Sequence, residues 1–173
     1  GGTITPTTAP VSSSDGNYLG GRVGYANGPV NAALSYAKEK NGAYHDFTYT
    51  NIGGSYNFGV ATLQGLYAQS KNGIGSNYKT WELGATIPVG PGYIPVSYSS
   101  GKLNDAISSK ADQIAIGYVY NLSKRTALYA TYSHINNKNG ALATFSGGNG
   151  SSSGLSAANG SGNGDDLGLK TSF

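Results

Sequence analysis

Hydrophobic and polar residues alternate along most of this chain with a period of two, the pattern of a strand rather than of a helix. In 79–89, Trp81, Leu83, Ala85, Ile87 and Val89 share one face, and Glu82, Gly84, Thr86 and Pro88 share the other. In 111–122, Ile114, Ile116, Tyr118, Tyr120 and Leu122 oppose Gln113, Ala115, Gly117, Val119 and Asn121. The same division sets Val30, Ala32, Leu34 and Tyr36 against Asn31, Ala33, Ser35 and Glu39. It also sets Ile52, Gly54, Tyr56 and Phe58 against Asn51, Gly53, Ser55 and Asn57. Segment 126–136 leaves its faces open, because Leu128, Ala130 and Tyr132 compete with Ala127, Tyr129 and Thr131.

Nine such segments are predicted, at about 18–27, 30–40, 47–58, 61–71, 79–89, 93–101, 111–122, 126–136 and 165–173. Gly28-Pro29, Gly59-Val60, Gly90-Pro91-Gly92 and Ser123-Lys124-Arg125 make short connections. Those at 41–46, 72–78, 102–110 and 137–164 are long. Tight turns at one end and loops at the other describe a barrel with two unlike rims. No run of 18 apolar residues exists, so a transmembrane helix is excluded. No residue-level repeat supports a solenoid.

The second face decides the solvent. A soluble sandwich buries its apolar faces together and meets water with charged outer faces. Here the other face is mostly Gly, Ala, Ser, Asn and Gln, residues that suit a wet lumen while the apolar side meets lipid. Backbone groups in lipid must pair, so such strands have to close on themselves. Tyr18, Tyr56, Phe58, Tyr93, Tyr120 and Phe173, near strand ends, fit interfacial girdles; the alternative is cross-strand packing in a soluble sheet.

Composition narrows the choice further. Only 11% of the 173 residues are charged, against roughly 25% in a soluble domain. Gly contributes 28 residues and Tyr 14, while Cys is absent, which excludes disulfides and cysteine-ligated metals. Aromatic content argues against disorder. The net charge of +3 comes from scattered Lys and Arg, too few and too dispersed for a nucleic-acid surface. The chain opens Gly1-Gly2-Thr3 without a secretory signal, so the expectation is a cleaved leader or an internal piece of a longer chain.

Several phrases carry a resemblance. Asn51-Ile52-Gly53-Gly54-Ser55-Tyr56-Asn57-Phe58-Gly59 resembles a recurrent strand–turn phrase of the Gram-negative general porins of the neisserial and burkholderial type. So do Gly24-Tyr25-Ala26-Asn27-Gly28-Pro29 and the run Gly117–Thr126. The last eight residues, Asp166–Phe173, are similar to an outer-membrane assembly signal through Asp166, Gly168, Thr171 and Phe173. Thr171 departs from it, standing where members usually carry an aromatic or His.

The resemblance implies an all-β, sixteen-stranded transmembrane antiparallel barrel, usually a homotrimer. It implies passive diffusion of small hydrophilic solutes and ions across the outer membrane of a Gram-negative bacterium. Outer-membrane lipid, lipopolysaccharide and the barrel-assembly machinery are the implied partners, with no cofactor. It implies a chain about twice as long, so the nine segments read as the C-terminal portion, residues 1–17 as an external-loop remnant and 18–173 as barrel strands. An isolated piece would leave its first strand with an open edge or close it on the last. The rival readings are a closed eight-stranded barrel with a structural or adhesive role, and a soluble carbohydrate-binding sandwich.

By alternation the pore-lining candidates are Arg22, Asn31, Ser35, Asn51, Glu82, Gln113 and Lys170. Arg22 on such a wall would attract anions, or else pair structurally with a carboxylate. Lys170 is a pore cation or a solvated rim residue. Glu82 is a partner or a selectivity charge, Glu39 lies on the same face, and Lys124-Arg125 is expected to meet water at the rim. His45 and His134 lack further ligands at metal spacing. Asp165 and Asp166 point to opposite faces, so no paired acid/base site forms, and a nucleophile elbow is missing. The expectation is a protein that is not an enzyme. The Asn/Gly/Ser-rich 137–164 reads as the last external loop, either low complexity or a receptor site.

Overall fold

The computed structural model describes residues 17–40, 46–73, 75–104, 108–141 and 158–172. Nine strands run through them: β1 (Tyr18–Asn27), β2 (Val30–Glu39), β3 (Phe47–Asn57), β4 (Thr62–Asn72), β5 (Asn77–Val89), β6 (Gly92–Leu103), β7 (Lys110–Asn121), β8 (Thr126–Lys138) and β9 (Ser161–Thr171). Each pairs antiparallel with its chain neighbours in one sheet of order β1 to β9. Among the described residues, β1 and β9 have no strand on their outer sides.

Turn chemistry sets the hairpins. Gly28 and Gly90 take φ of +53° and +56° in the two-residue turns after β1 and β5, a region side chains disfavour. After β7, the Ser123 hydroxyl accepts from the backbone N–H of Arg125 and Thr126, both at 3.1 Å. Proline interrupts the ladder once: the β6–β7 pairing skips Ile94 and Pro95, as a residue without an N–H requires.

Several boundaries differ from expectation, most of all around the last loop. The last strand begins at Ser161, not at 165, and β8 runs on to Lys138. Ser161-Gly162-Asn163-Gly164 offers no apolar residue to alternation, yet it pairs with Asn136, Ile135, His134 and Ser133. The segment left for the loop expected at 137–164 is therefore 139–160, of which 142–157 lie outside the described residues. The connection expected to be long at 72–78 is only 73–76. Asn72 closes it, its side-chain oxygen accepting from Ser76 N–H at 2.8 Å and its backbone N–H donating to the Ser76 carbonyl at 3.0 Å. The expectations for residues 1–16, His45 and Phe173 lie outside the described residues.

The apolar side chains do not meet in an interior. Among the described residues only Ala37 and Ile135 are buried hydrophobics. Trp81 is 40% exposed, Leu83 60% and Ile114 48%. The registers place them on one continuous face: Tyr56, Leu63, Ala85, Val96, Ile116 and Tyr132 form a single cross-strand row. Water would penalise such a face at roughly 25 cal/mol per Å², and soluble monomers rarely expose apolar patches beyond a few hundred Å². A single sheet with one broad apolar face requires an apolar solvent on that side.

Candidate functional site

The opposite face holds the polar groups. Cross-strand partners share a face, so the registers trace Arg22, Ser35, Asn51, Ala68, Thr80, Gly101, Ala111 and Asn137 as one row. One step towards the short turns, Glu82, Ser99 and Gln113 are consecutive partners across β5, β6 and β7. All seven residues expected to line a pore stand on this one face.

They form two groups and an outlier. Arg22, Asn31 and Asn51 border a shallow hollow of about 400 Å³ floored by Ala33, Gly53 and Ser55. Ser35 beside them donates to Asn51 Oδ1 at 2.7 Å, which fixes both side chains. Glu82 and Gln113 flank Ser99 farther along the sheet. Lys170, paired with Ala127, lies apart from the other six, near the short turns.

Alternation missed the company Lys170 keeps. It borders a hollow of about 310 Å³ shared with Lys124, Arg125, Tyr93 and Asn121. Arg125 is anchored there, its Nε donating to the Ser172 carbonyl at 3.0 Å. The β8–β9 register carries the missing signal: it places residue 170 beside residue 127, just past the turn.

Segment 126–136 is now decided. Leu128, Ala130 and Tyr132 are on the apolar face, and Ala127, Tyr129 and Thr131 on the polar one. Tyr18 and Tyr93 depart from the girdle expectation. Their partners Glu39 and Val119 belong to the polar face, because position near a strand end says nothing about parity. Tyr56 and Tyr120 do stand on the apolar face, and Phe58 packs on Tyr56 with ring centroids 4.5 Å apart. Phe47, Leu66, Leu103, Val119 and Ile135 are large apolar residues on the face that carries the polar groups.

Asp165 and Asp166 take opposite faces, as partners of Tyr132 and Thr131. On the apolar side near the loops, Asn163 Oδ1 lies 2.7 Å from His134 Nδ1 and 3.1 Å from the Tyr132 hydroxyl. Among the described residues no three His, Cys, Asp or Glu side chains gather as metal ligands would.

A lipid-facing apolar surface backed by a small, polar one defines the wall of a membrane β-barrel. The Gram-negative porin family matches residues 2–140. The chain belongs to that family, and its place is the outer membrane of a Gram-negative bacterium. It is 46% identical over 141 residues to the outer membrane porin protein 32 of Delftia acidovorans, covering 76% of this chain and 39% of that protein. It superposes on the anion-selective porin from Comamonas acidovorans with a TM-score of 0.79 at 38% identity, over 92% of this chain and 50% of the other. OmpT of Vibrio cholerae shares the fold alone, with a TM-score of 0.67 at 14% identity over 91% of this chain and 57% of that one. The chain thus spans about half the length of the relatives it matches, or less. Nine strands in a porin architecture set aside the closed eight-stranded rival, and the single sheet sets aside the sandwich.

Proposed function

We propose that this chain supplies wall strands to a water-filled pore through which small hydrophilic solutes and ions diffuse passively across the outer membrane. The observation that carries the reading is the two-faced sheet: Trp81, Ile114 and Ile116 stand exposed on one face while Arg22, Asn51, Glu82 and Gln113 share the other. In the whole protein a sixteen-stranded barrel supplies the partners that β1 and β9 need, and three such barrels associate. Porin kinship supports this. Lipid and lipopolysaccharide contact the apolar face. The assembly machinery reads the signal made of Asp166, Gly168, Thr171 and Phe173. Arg22, Asn31, Ser35, Asn51, Glu82, Gln113 and Lys170 line the lumen.

Ion preference in this reading depends on position rather than on sum. Among the described strand residues the polar face bears two cations, Arg22 and Lys170, and three carboxylates, Glu39, Glu82 and Asp166. One relative is described as anion-selective. A similar preference here would come from Arg22 within its hollow and from Lys170, Lys124 and Arg125 at the turn-side mouth. Planar-bilayer recording of the full-length protein tests the pore: stepwise ohmic conductance is expected, and an electrically silent bilayer despite inserted, folded protein would refute it.

A further inference from the structure

Aromatic rings gather on the polar face as well as on the apolar one. Tyr18, Phe47 and Tyr49 stand there at the loop end of β1 and β3. The register sets Tyr18 directly opposite Glu39 and Glu39 directly opposite Phe47, so one carboxylate lies between two aromatic side chains. Directly opposed side chains have Cβ atoms about 5 Å apart.

The rings are held in place. A Cβ on residue 20 would lie 3.1 Å from Tyr18 Cε1 and 3.2 Å from its hydroxyl oxygen, so the Tyr18 ring lies down over Gly20, and it is still 66% exposed. Phe47 and Tyr49 stack with ring centroids 6.4 Å apart and planes 13° from parallel. Ala37, between Gly20 and Tyr49 in the register, is one of the two buried hydrophobics among the described residues. The backbone N–H of Lys40 donates to the Asn17 carbonyl at 2.9 Å, which carries the β1–β2 ladder past the Tyr18–Glu39 pair.

No ion pair among the described residues engages Glu39. Lys38 and Lys40 flank it with the opposite parity, and Lys38 is held by Asp46 at 2.6 Å. Arg22 shares the face of Glu39 but lies four residues beyond Tyr18, about 13 Å along the strand. Residues 1–16 and 41–45, which flank these strands in sequence, contain no lysine or arginine; Asp15 and His45 are their groups that titrate at or below neutral pH.

This chemistry selects a ligand. An aromatic face attracts a cation through its quadrupole, and most strongly when the cation has shed its water. Small inorganic cations keep their hydration shells, and a hard metal needs several oxygen ligands; among the described residues no three metal-ligating side chains gather. An alkylammonium group gives up water at little cost, presenting methyl groups to the rings and charge to the carboxylate.

We infer that Tyr18, Glu39, Phe47 and Tyr49 form a binding site for organic ammonium ions, quaternary ones above all, at the loop-side mouth of the pore. The inference rests on the pore reading above and adds a ligand class to it. Longer connections face the exterior in these barrels, so the site meets solutes arriving from outside. Arg22, deeper on the same wall, opposes onward movement of a cation and keeps the ligand at the mouth.

The test titrates choline against the full-length porin in a maltoside detergent, read by saturation-transfer NMR, with 3,3-dimethylbutan-1-ol as the uncharged probe of the same shape. Wild type should bind choline roughly tenfold more tightly than the alcohol, a comparison that needs no variant. Glu39→Gln should weaken choline binding roughly fivefold and Phe47→Leu roughly threefold, while Phe47→Tyr keeps it. Heat-shifted gel migration checks that each variant is folded. Equal binding of choline and the alcohol, or parental choline affinity in either Glu39→Gln or Phe47→Leu, would overturn the site. Bilayer recording of the same preparation separates the two readings. Selective choline binding by a protein that conducts nothing would uphold the site and remove the pore, and a conducting porin indifferent to choline would do the reverse.

Discussion

The Tyr129 ring lies over Gly168 across the β8–β9 pair, its Cζ and hydroxyl oxygen 2.5 Å from where a Cβ on residue 168 would stand. The hydroxyl continues to the Asp166 carboxylate. Glycine within a strand ordinarily weakens it; here the vacant position is covered by an aromatic from the next strand, a recognised remedy. Two residues that the resemblance assigns to an assembly signal, Asp166 and Gly168, are thus also a packing unit in the finished sheet.

Gly168→Ala should force the ring away and cost about 1–3 kcal/mol, the usual penalty of overpacking. Urea titration of the folded band, read by heat-shifted gel migration of protein refolded into vesicles, measures the cost. Tyr129→Ala loses the cover instead. The double variant Tyr129→Ala/Gly168→Ala should be less damaged than the two single losses together, because the clash exists only when ring and methyl are both present. Strict additivity would show that the two residues do not act as a pair.

Arg22→Glu in the complete protein replaces the cation beside Asn31 and Asn51 with an anion. The reversal potential under a salt gradient should move towards cation preference. Glu82→Gln should move it the other way, by less, since only one charge unit changes instead of two. An Arg22→Glu channel with the parental reversal potential would take Arg22 off the conducting path.

Legibility in the sequence followed the strength of alternation. Large or aliphatic side chains recur at every second position, five times in β5 and four times in β7, and both the strands and their faces were evident. In β8, Tyr129 and Leu128 are comparably apolar, and only pairing with β7 and β9 shows that Leu128 belongs with Leu169 and Tyr129 with Gly168. Ser161–Gly164 was invisible as strand because its backbone pairing supplies what its side chains lack. The row formed by Lys79, Lys102, Lys110 and Lys138 was equally hidden. Its members are spread from position 79 to 138, and only the register brings them side by side.

Neighbouring positions on β7 separate the two faces directly. Ile116 stands between Val96 and Tyr132 on the apolar face, and Ala115 between Ser97 and Ser133 on the polar face. A lysine at the bilayer midplane of such a barrel costs about 2–4 kcal/mol. Ile116→Lys should therefore lower the urea midpoint in vesicles sharply, whereas Ala115→Lys should leave it nearly unchanged and make the pore more basic. Equal damage from both would mean that the faces are not divided between lipid and water.

Asp112 bridges two lysines that face each other across the β7–β8 pair. Its carboxylate separates the opposed Lys110 and Lys138, and removing it leaves that repulsion uncompensated. Asp112→Asn should cost about 1 kcal/mol at low ionic strength, the modest value of partly exposed pairs. The loss should shrink in molar salt, where the screening length falls to about 3 Å. A general loosening of the strands would give a loss that molar salt does not relieve. A loss that fades with salt is therefore the outcome particular to charge balance, and parallel urea titrations of Asp112→Asn at low and high ionic strength measure it.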